Sequence, residues 1–252
     1  MRRLLPDVVE EDLASVYDGL RLVGPIGRRA GVSLGMVSSV DGAASIAGRT
    51  AALGDAADRT AFGALRAAAD AVLVGAGTVR AENYGPAAGS AERRRRREQK
   101  GLSAAPRLVV VSNGLDLDPG ARLFADPAHP PLLATNARAA AGNAQLGEVA
   151  EYLVAGEERV DLRELLLQLA ARGLGAVLCE GGPSLNAALL ADDLVDELYL
   201  TLAPVLVGGS ATRIVAGPTE AVQRMELAEL REHDGELLLR YRRDSLAPTD
   251  RL

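Results

Sequence analysis

The chain is poor in sulfur, imidazole and large rings. Its 252 residues hold one cysteine, two histidines, five tyrosines, two phenylalanines and no tryptophan. The lone Cys179 excludes an internal disulfide. It sits in the apolar run Ala176-Val177-Leu178-Cys179, which reads as a place for a buried, inert thiol rather than a nucleophile. His129 and His233 stand far apart in polar sequence, so no metal-ligand set is visible. With aromatics at 3%, base stacking cannot dominate recognition, and a net charge of -6 argues against a polyanion binder, so no nucleic-acid partner is expected. No apolar run approaches the roughly 20 residues of a membrane span. Pro6 and Asp7 interrupt the opening residues before any signal-like core, so a cytoplasmic protein without a membrane partner is expected.

What is present is 48% hydrophobic residues, so the core must be built from Leu, Val and Ala. Short runs of these residues at 32–40, 71–75, 107–112, 131–135, 176–180, 198–206 and 236–241 read as strands of a central sheet. Apolar residues at three- and four-residue spacing over 55–69, 161–172 and 183–191 place helices among them. This alternation predicts an α/β fold with a mostly parallel sheet. The last two runs lack a crossover helix, which predicts a mixed or antiparallel C-terminal edge. Residues 7–20 predict an amphipathic helix within an N-terminal extension of about 1–28. Residues 83–106 form a long polar stretch that includes five successive arginines, 93–97. It reads as an exposed loop or loop-borne helix with a solvated charge run, the alternative being that the five arginines help hold a phosphate. No repeat divides the chain, and a single domain over 1–252 is expected.

Three strand exits carry the chemistry. In Glu180-Gly181-Gly182-Pro183-Ser184-Leu185, a glycine pair lets a ligand approach the backbone. Pro183 then suits a first helical turn, whose free N–H groups attract anions. Gly75-Ala76-Gly77-Thr78 repeats the theme at the exit of an earlier strand, with a hydroxyl in place of the proline. It fails as a dinucleotide fingerprint because Arg80 stands where a third glycine belongs. Ser39-Val40-Asp41-Gly42 puts a carboxylate at a sharp turn, where such a pair most often only shapes the turn. Two glycine exits in one sheet suit a ligand with a pyrophosphate, and a dinucleotide fits that demand.

Taken in order with Leu65-Arg66-Ala67 and Leu202-Ala203-Pro204-Val205-Leu206-Val207-Gly208-Gly209, these segments resemble the pyrimidine reductase family of riboflavin biosynthesis over about 32–241. That family is the reductase half of the bifunctional deaminase/reductase. The resemblance implies a dihydrofolate-reductase-like, three-layer α/β/α fold, NADPH as cofactor and a homodimer. It implies that Val37, Gly75, Gly77, Thr78, Ser112, Gly181, Gly182, Pro183, Ser184 and Leu185 flank the cofactor, and that Thr50, Arg66 and Glu180 contact the substrate. Arg66 is then the expected anchor of a 5′-phosphate. Glu180 and Asp41 are the candidate catalytic carboxylates, the first orienting sugar hydroxyls or relaying a proton. The family reaction reduces the ribosyl group of a 5-amino-6-ribosylaminopyrimidine 5′-phosphate to ribityl. The zinc-deaminase signatures of the bifunctional members are missing. Ala52 stands where those members can place a tryptophan, and Glu82-Asn83-Tyr84 replaces an Asp-Asp-Pro-like stretch. Two alternatives remain open: reduction of dihydrofolate or a dihydropterin, and a non-catalytic nucleotide-binding regulatory domain.

Overall fold

Each of the seven apolar runs forms a strand in the computed structural model, which describes residues 1–244 apart from 18, 51 and 88. The last eight positions of the expected domain span lie outside the described residues. Eleven strands make one sheet: β1 (Arg2–Leu5), β2 (Val9–Glu10), β3 (Gly31–Ser39), β4 (Ala71–Gly75), β5 (Arg107–Val111), β6 (Leu132–Thr135), β7 (Glu151–Val154), β8 (Ala176–Cys179), β9 (Glu197–Ala203), β10 (Met225–His233) and β11 (Glu236–Arg243). Their order is β2-β1-β10-β11-β9-β3-β8-β4-β5-β6-β7. Every pairing from β9 through β3 to β7 is parallel, and every pairing from β2 to β9 is antiparallel. The mostly parallel sheet with an antiparallel C-terminal edge is therefore as the sequence predicts.

Helices α1 (Ala56–Ala68), α2 (Ala76–Ala81), α3 (Ala91–Gln99), α4 (Ala137–Gly142), α5 (Leu162–Ala171) and α6 (Pro183–Ala191) cover the sheet. Asp55 caps α1 by accepting from Ala57 N at 2.7 Å, and Asp161 caps α5 by accepting from Glu164 N at 2.9 Å. The period of two along the strands separates the two cores. Val32, Leu34, Leu73 and Val109 pack with Leu162, Leu165, Leu166 and Leu169 of α5 and Leu189 of α6. Val72, Val74, Leu108 and Val110 face the other way, alongside Val79 of α2. On that second face Ala57, Ala61 and Leu65 of α1 pack on Leu178, Tyr199 and Leu238. None of the described helices is long and apolar enough to cross a membrane.

The N-terminal segment departs from expectation. Among the described residues of 7–20 there is no amphipathic helix; β2 and a single 3-10 turn at Leu13–Ser15 stand there instead. Val8 and Val9 are exposed, so the apolar face the pattern suggested is not buried locally. The segment instead satisfies its backbone by pairing β1 with β10, while Val16, Tyr17 and Leu22 sink against α1. An open strand edge offering a row of hydrogen bonds outweighs the weak helical periodicity. Strand β9 also ends earlier than the sequence predicts, at Ala203, because Pro204 cannot donate to the ladder.

Candidate functional site

All the parallel strands run the same way, so their carboxyl ends open on one edge of the sheet. A cavity of about 680 Å³ lies there. The exits of β3, β4 and β8 make one wall, contributing Val37, Gly77, Thr78, Gly181, Gly182 and Pro183. Helix α1 makes the other wall, contributing Asp58, Arg59, Phe62, Gly63 and Arg66 at spacings of three and four residues, which put them on one helix face.

The glycine pair belongs to the strand-exit wall. Gly75 N donates to Gly181 O at 2.8 Å, holding the β4 and β8 exits side by side. The Gly181–Gly182 peptide is cis, and Gly181 has φ +83°, a region that favours glycine. A Cβ on Gly182 would stand 2.6 Å from Thr78 Oγ1, so any side chain there would fill the cradle. Pro183 opens α6, whose first N–H groups have no partner within the helix. Bare backbone, a hydroxyl and a helix N-terminus in one place fit the diphosphate of a dinucleotide.

Glu180, at the end of β8, has a side chain only 2% exposed. Both its oxygens accept from Arg66, from Nε and from a terminal nitrogen, each at 2.6 Å. The other contact of that terminal nitrogen is the Tyr84 hydroxyl at 2.9 Å, and the guanidinium lies 5.6 Å from the ring centroids of both Phe62 and Tyr84. Burial pulls the Arg66 guanidinium down, and the bidentate Glu180 more than offsets it, so the group stands above its ordinary value. Thr50 also lines the cavity, its amide and hydroxyl donating to Glu82 at 3.1 and 3.0 Å. Asp58 faces the same space with one buried oxygen lacking a partner. Burial holds its carboxyl above the usual range, against the Thr201 hydroxyl, which lowers it, while the charge of Asp55 adds to the rise.

Other expected residues fall outside the cavity lining. Asp41 is exposed at the end of β3, accepting from Ser39 Oγ at 2.5 Å and from Gly208 N at 2.7 Å. The Ser39 hydroxyl, then the Gly208 and Val207 amides, hold its carboxyl down at about 2. The geometry is that of a clamp joining two turns, the alternative role weighed for it. Ser112 spends its hydroxyl on Leu115 N at 2.9 Å and its carbonyl on Thr135 Oγ1 at 2.8 Å, shaping the β5 exit. Leu185 is buried in the core beneath α6, and Ser184 is exposed on its first turn. Cys179 is fully buried, and burial pushes its thiol up to about 12, as befits an inert group.

Sequence reasoning missed Phe62, Tyr84, Asp58 and Asn186, and it did not single Arg93 out of the arginine run. The signal for Phe62 was present: it shares an i, i+4 face with Arg66 in a chain with only two phenylalanines. Asn186 is buried and donates to Ile214 O at 2.7 Å and Met36 Sδ at 3.1 Å, pinning a distant loop over α6. No local pattern announces that contact.

A cavity across parallel strand ends, with a glycine pair and a helix N-terminus on one side and a polar cluster on the other, defines an α/β domain of the kind that holds a small anionic cofactor beside a second ligand. Residues 30–239 match the family described as the RibD C-terminal domain, and the chain belongs to that family. It is 35% identical over 145 residues to the 2,5-diamino-6-ribosylamino-4(3H)-pyrimidinone 5′-phosphate reductase of Archaeoglobus fulgidus, covering 58% of this chain and 66% of that one. The protein of the same name from Methanothermobacter thermautotrophicus is 31% identical, with 72% and 81% covered. Among solved structures, a pyrimidine reductase-like protein from Corynebacterium diphtheriae superposes with a TM-score of 0.79 at 27% identity, over 93% of this chain and 99% of that one.

Proposed function

We propose that this chain is an NADPH-dependent reductase that converts the ribosyl group of a 5-amino-6-ribosylaminopyrimidine 5′-phosphate to ribityl; the names of its relatives, reductases of a ribosylaminopyrimidinone phosphate, support the substrate class and the reaction type. The observation that carries the reading is the joining, in one cavity, of a backbone cradle fit for a diphosphate and a polar cluster fit for a sugar. Gly181, Gly182, Pro183 and Thr78 would hold the cofactor, with Val37 and Gly77 beside them. A reduced nicotinamide bound there supplies the hydride that the anomeric carbon takes up once the sugar ring has opened to an imine.

The chain's own residues do the rest. Arg66 and Glu180 fix each other's orientation, so the pair presents rigid donors and acceptors to sugar hydroxyls without reorganising. The Tyr84 hydroxyl accepts from Arg66 and keeps its own proton for a substrate oxygen. Phe62 and Tyr84 flank the Arg66 guanidinium and narrow the space around the pair. The same reading makes the chain one reductase domain working as a cytoplasmic homodimer. Val40, Val205 and Leu206 support an apolar contact, being exposed together beside the β9 exit, where Val40 N donates to Val205 O at 3.2 Å.

The test is to mix purified protein with NADPH and, separately, the ribosylaminopyrimidine phosphate or dihydrofolate, following loss of the reduced nicotinamide absorbance. Oxidation with the first substrate alone is expected. Oxidation with dihydrofolate alone would move the assignment to the pterin reaction, and tight NADPH binding without turnover to a regulatory domain.

A further inference from the structure

The five arginines of α3 are not one solvated run. Arg97 is 1% exposed, and its guanidinium donates to the carbonyls of Arg66, Ala67 and Ala69 at 3.0, 3.1 and 2.7 Å, capping the end of α1. Arg96 pairs with Glu92 at 2.8 Å on the outer face, and Arg94 and Arg95 are exposed. Arg93 stands one turn before Arg97 on the inner face and reaches the cavity.

Its surroundings are built to admit it. Gly63 interrupts α1 between Phe62 and Arg66, and a Cβ at that position would lie 2.8 Å from a terminal nitrogen of Arg93. Gly89, just before α3, has φ +64°, and a Cβ there would lie 3.1 Å from Arg93 Cδ. Glycine weakens a helix interior, and at position 63 it makes the seat for a guanidinium. Yet among the described residues that guanidinium donates to no acceptor and joins no ion pair. The other cavity arginines differ. Arg66 has its fork filled by Glu180, and Arg59 lies in the field of Asp55 and Asp58. The cation seated at the cavity without a counter-charge is Arg93.

We propose that Arg93, rather than the expected Arg66, anchors the phosphate of the substrate, an inference that rests on the phosphorylated substrate of the proposed function. A planar guanidinium suits two phosphate oxygens, and one without a partner binds them without first breaking a bond. The phosphate then lies on the α1–α3 side, with the cofactor cradle on the other wall, so the reacting carbon falls between two fixed ends.

The test compares the phosphate ester with its dephosphorylated riboside. Arg93→Ala should raise KM for the ester about 10- to 100-fold, leave the riboside kinetics and NADPH affinity unchanged, and be partly rescued by Arg93→Lys. Arg94→Ala, on the exposed face, should change neither. Equal losses with both substrates would overturn the inference, as would a loss of NADPH affinity that spares NADH, which would place the 2′-phosphate of the cofactor there. Should the protein turn over neither substrate, the functional reading fails separately, and calorimetry with ribose 5-phosphate still decides. Binding lost in Arg93→Ala upholds the anchor, and unchanged binding rejects it.

Discussion

The antiparallel and parallel halves of the sheet both bury arginine–glutamate pairs, and they use them differently. In the antiparallel half, Arg240 of β11 bridges Glu197 of β9 at 2.7 Å and Glu229 of β10 at 2.5 Å, and Glu229 passes the chain on through Arg231 to Glu11. Rings close it off: Arg240 lies 5.3 Å from the Tyr199 centroid and Arg231 lies 4.8 Å from that of Tyr17. Burial, foremost, pushes the Tyr17 hydroxyl up to about 12. In the parallel half, Arg66 and Glu180 also sit between rings, but the arginine side chain is 34% exposed to a cavity, against 9% for Arg240. A pair with every face covered can only hold strands together. A pair with one face open can also meet a ligand.

Four substitutions would break or sharpen that contrast. The largest effect is expected from Gly182→Val, whose side chain would collide with Thr78 and fill the cradle. NADPH binding, followed by quenching or calorimetry, should vanish while the thermal unfolding curve stays cooperative. Retained affinity would remove the parallel half as the ligand half. Next, Arg240→Ala leaves Glu197 and Glu229 buried without their shared cation. It should cost about 3–5 kcal/mol in urea unfolding, with cofactor affinity unchanged wherever the protein remains folded.

Glu180→Gln keeps the shape but removes the charge that orients Arg66. A fall in kcat of about 10- to 100-fold with NADPH affinity held within about twofold is expected from steady-state rates beside direct titration. Equal loss in both would move Glu180 into the cofactor pocket. The smallest effect concerns the junction of the halves, where Glu236 of β11 accepts from Asp55 N at 2.9 Å and Asp58 N at 3.2 Å at the start of α1. Burial, and then its bond to the Asp55 side chain, push the Glu236 carboxyl from 4.5 to about 7. Between those values the folded chain holds a proton that the unfolded chain has released, so stability is greatest below the lower value and declines as pH rises toward the upper one. The raised carboxyl of Asp58 acts in the same direction. Urea midpoints measured across that window should fall with pH, and Glu236→Gln should flatten most of the slope. An unchanged slope would show that Glu236 is not the titrating group.

The parallel half was the more legible of the two. Strands β4, β5, β6 and β8 are buried almost throughout and so read as apolar runs, and the exits of β4 and β8 are marked by glycines and a proline, whereas the exposed edge strand β7 was not read from the sequence. Strand β10 escaped notice because its sequence, Met225 to His233, is studded with Glu226, Glu229, Arg231 and Glu232, which lose their polar look only when partners across the sheet neutralise them. Strand β1 was read as part of a helical extension for a related reason: its pairing partner lies more than 200 residues away. Within the site, backbone requirements were visible and side-chain partnerships were not. Gly182 announces itself, whereas Arg66 looked like a free phosphate anchor until Glu180, 114 residues on, was found to fill its fork.

By itself the sequence determined most strand and helix runs of the α/β body and the glycine exits, because these depend on local periodicity and on residues whose backbone freedom is intrinsic, and it carried the ordered motifs by which the chain resembles its family. Tertiary structure alone decided which charges are spent and which are free. Arg66, Arg93, Arg97 and Arg240 are chemically identical in the chain, and only the groups that folding brings beside each one separate a cavity-facing pair, a cation unpartnered among the described residues, a helix cap and a sealed strut.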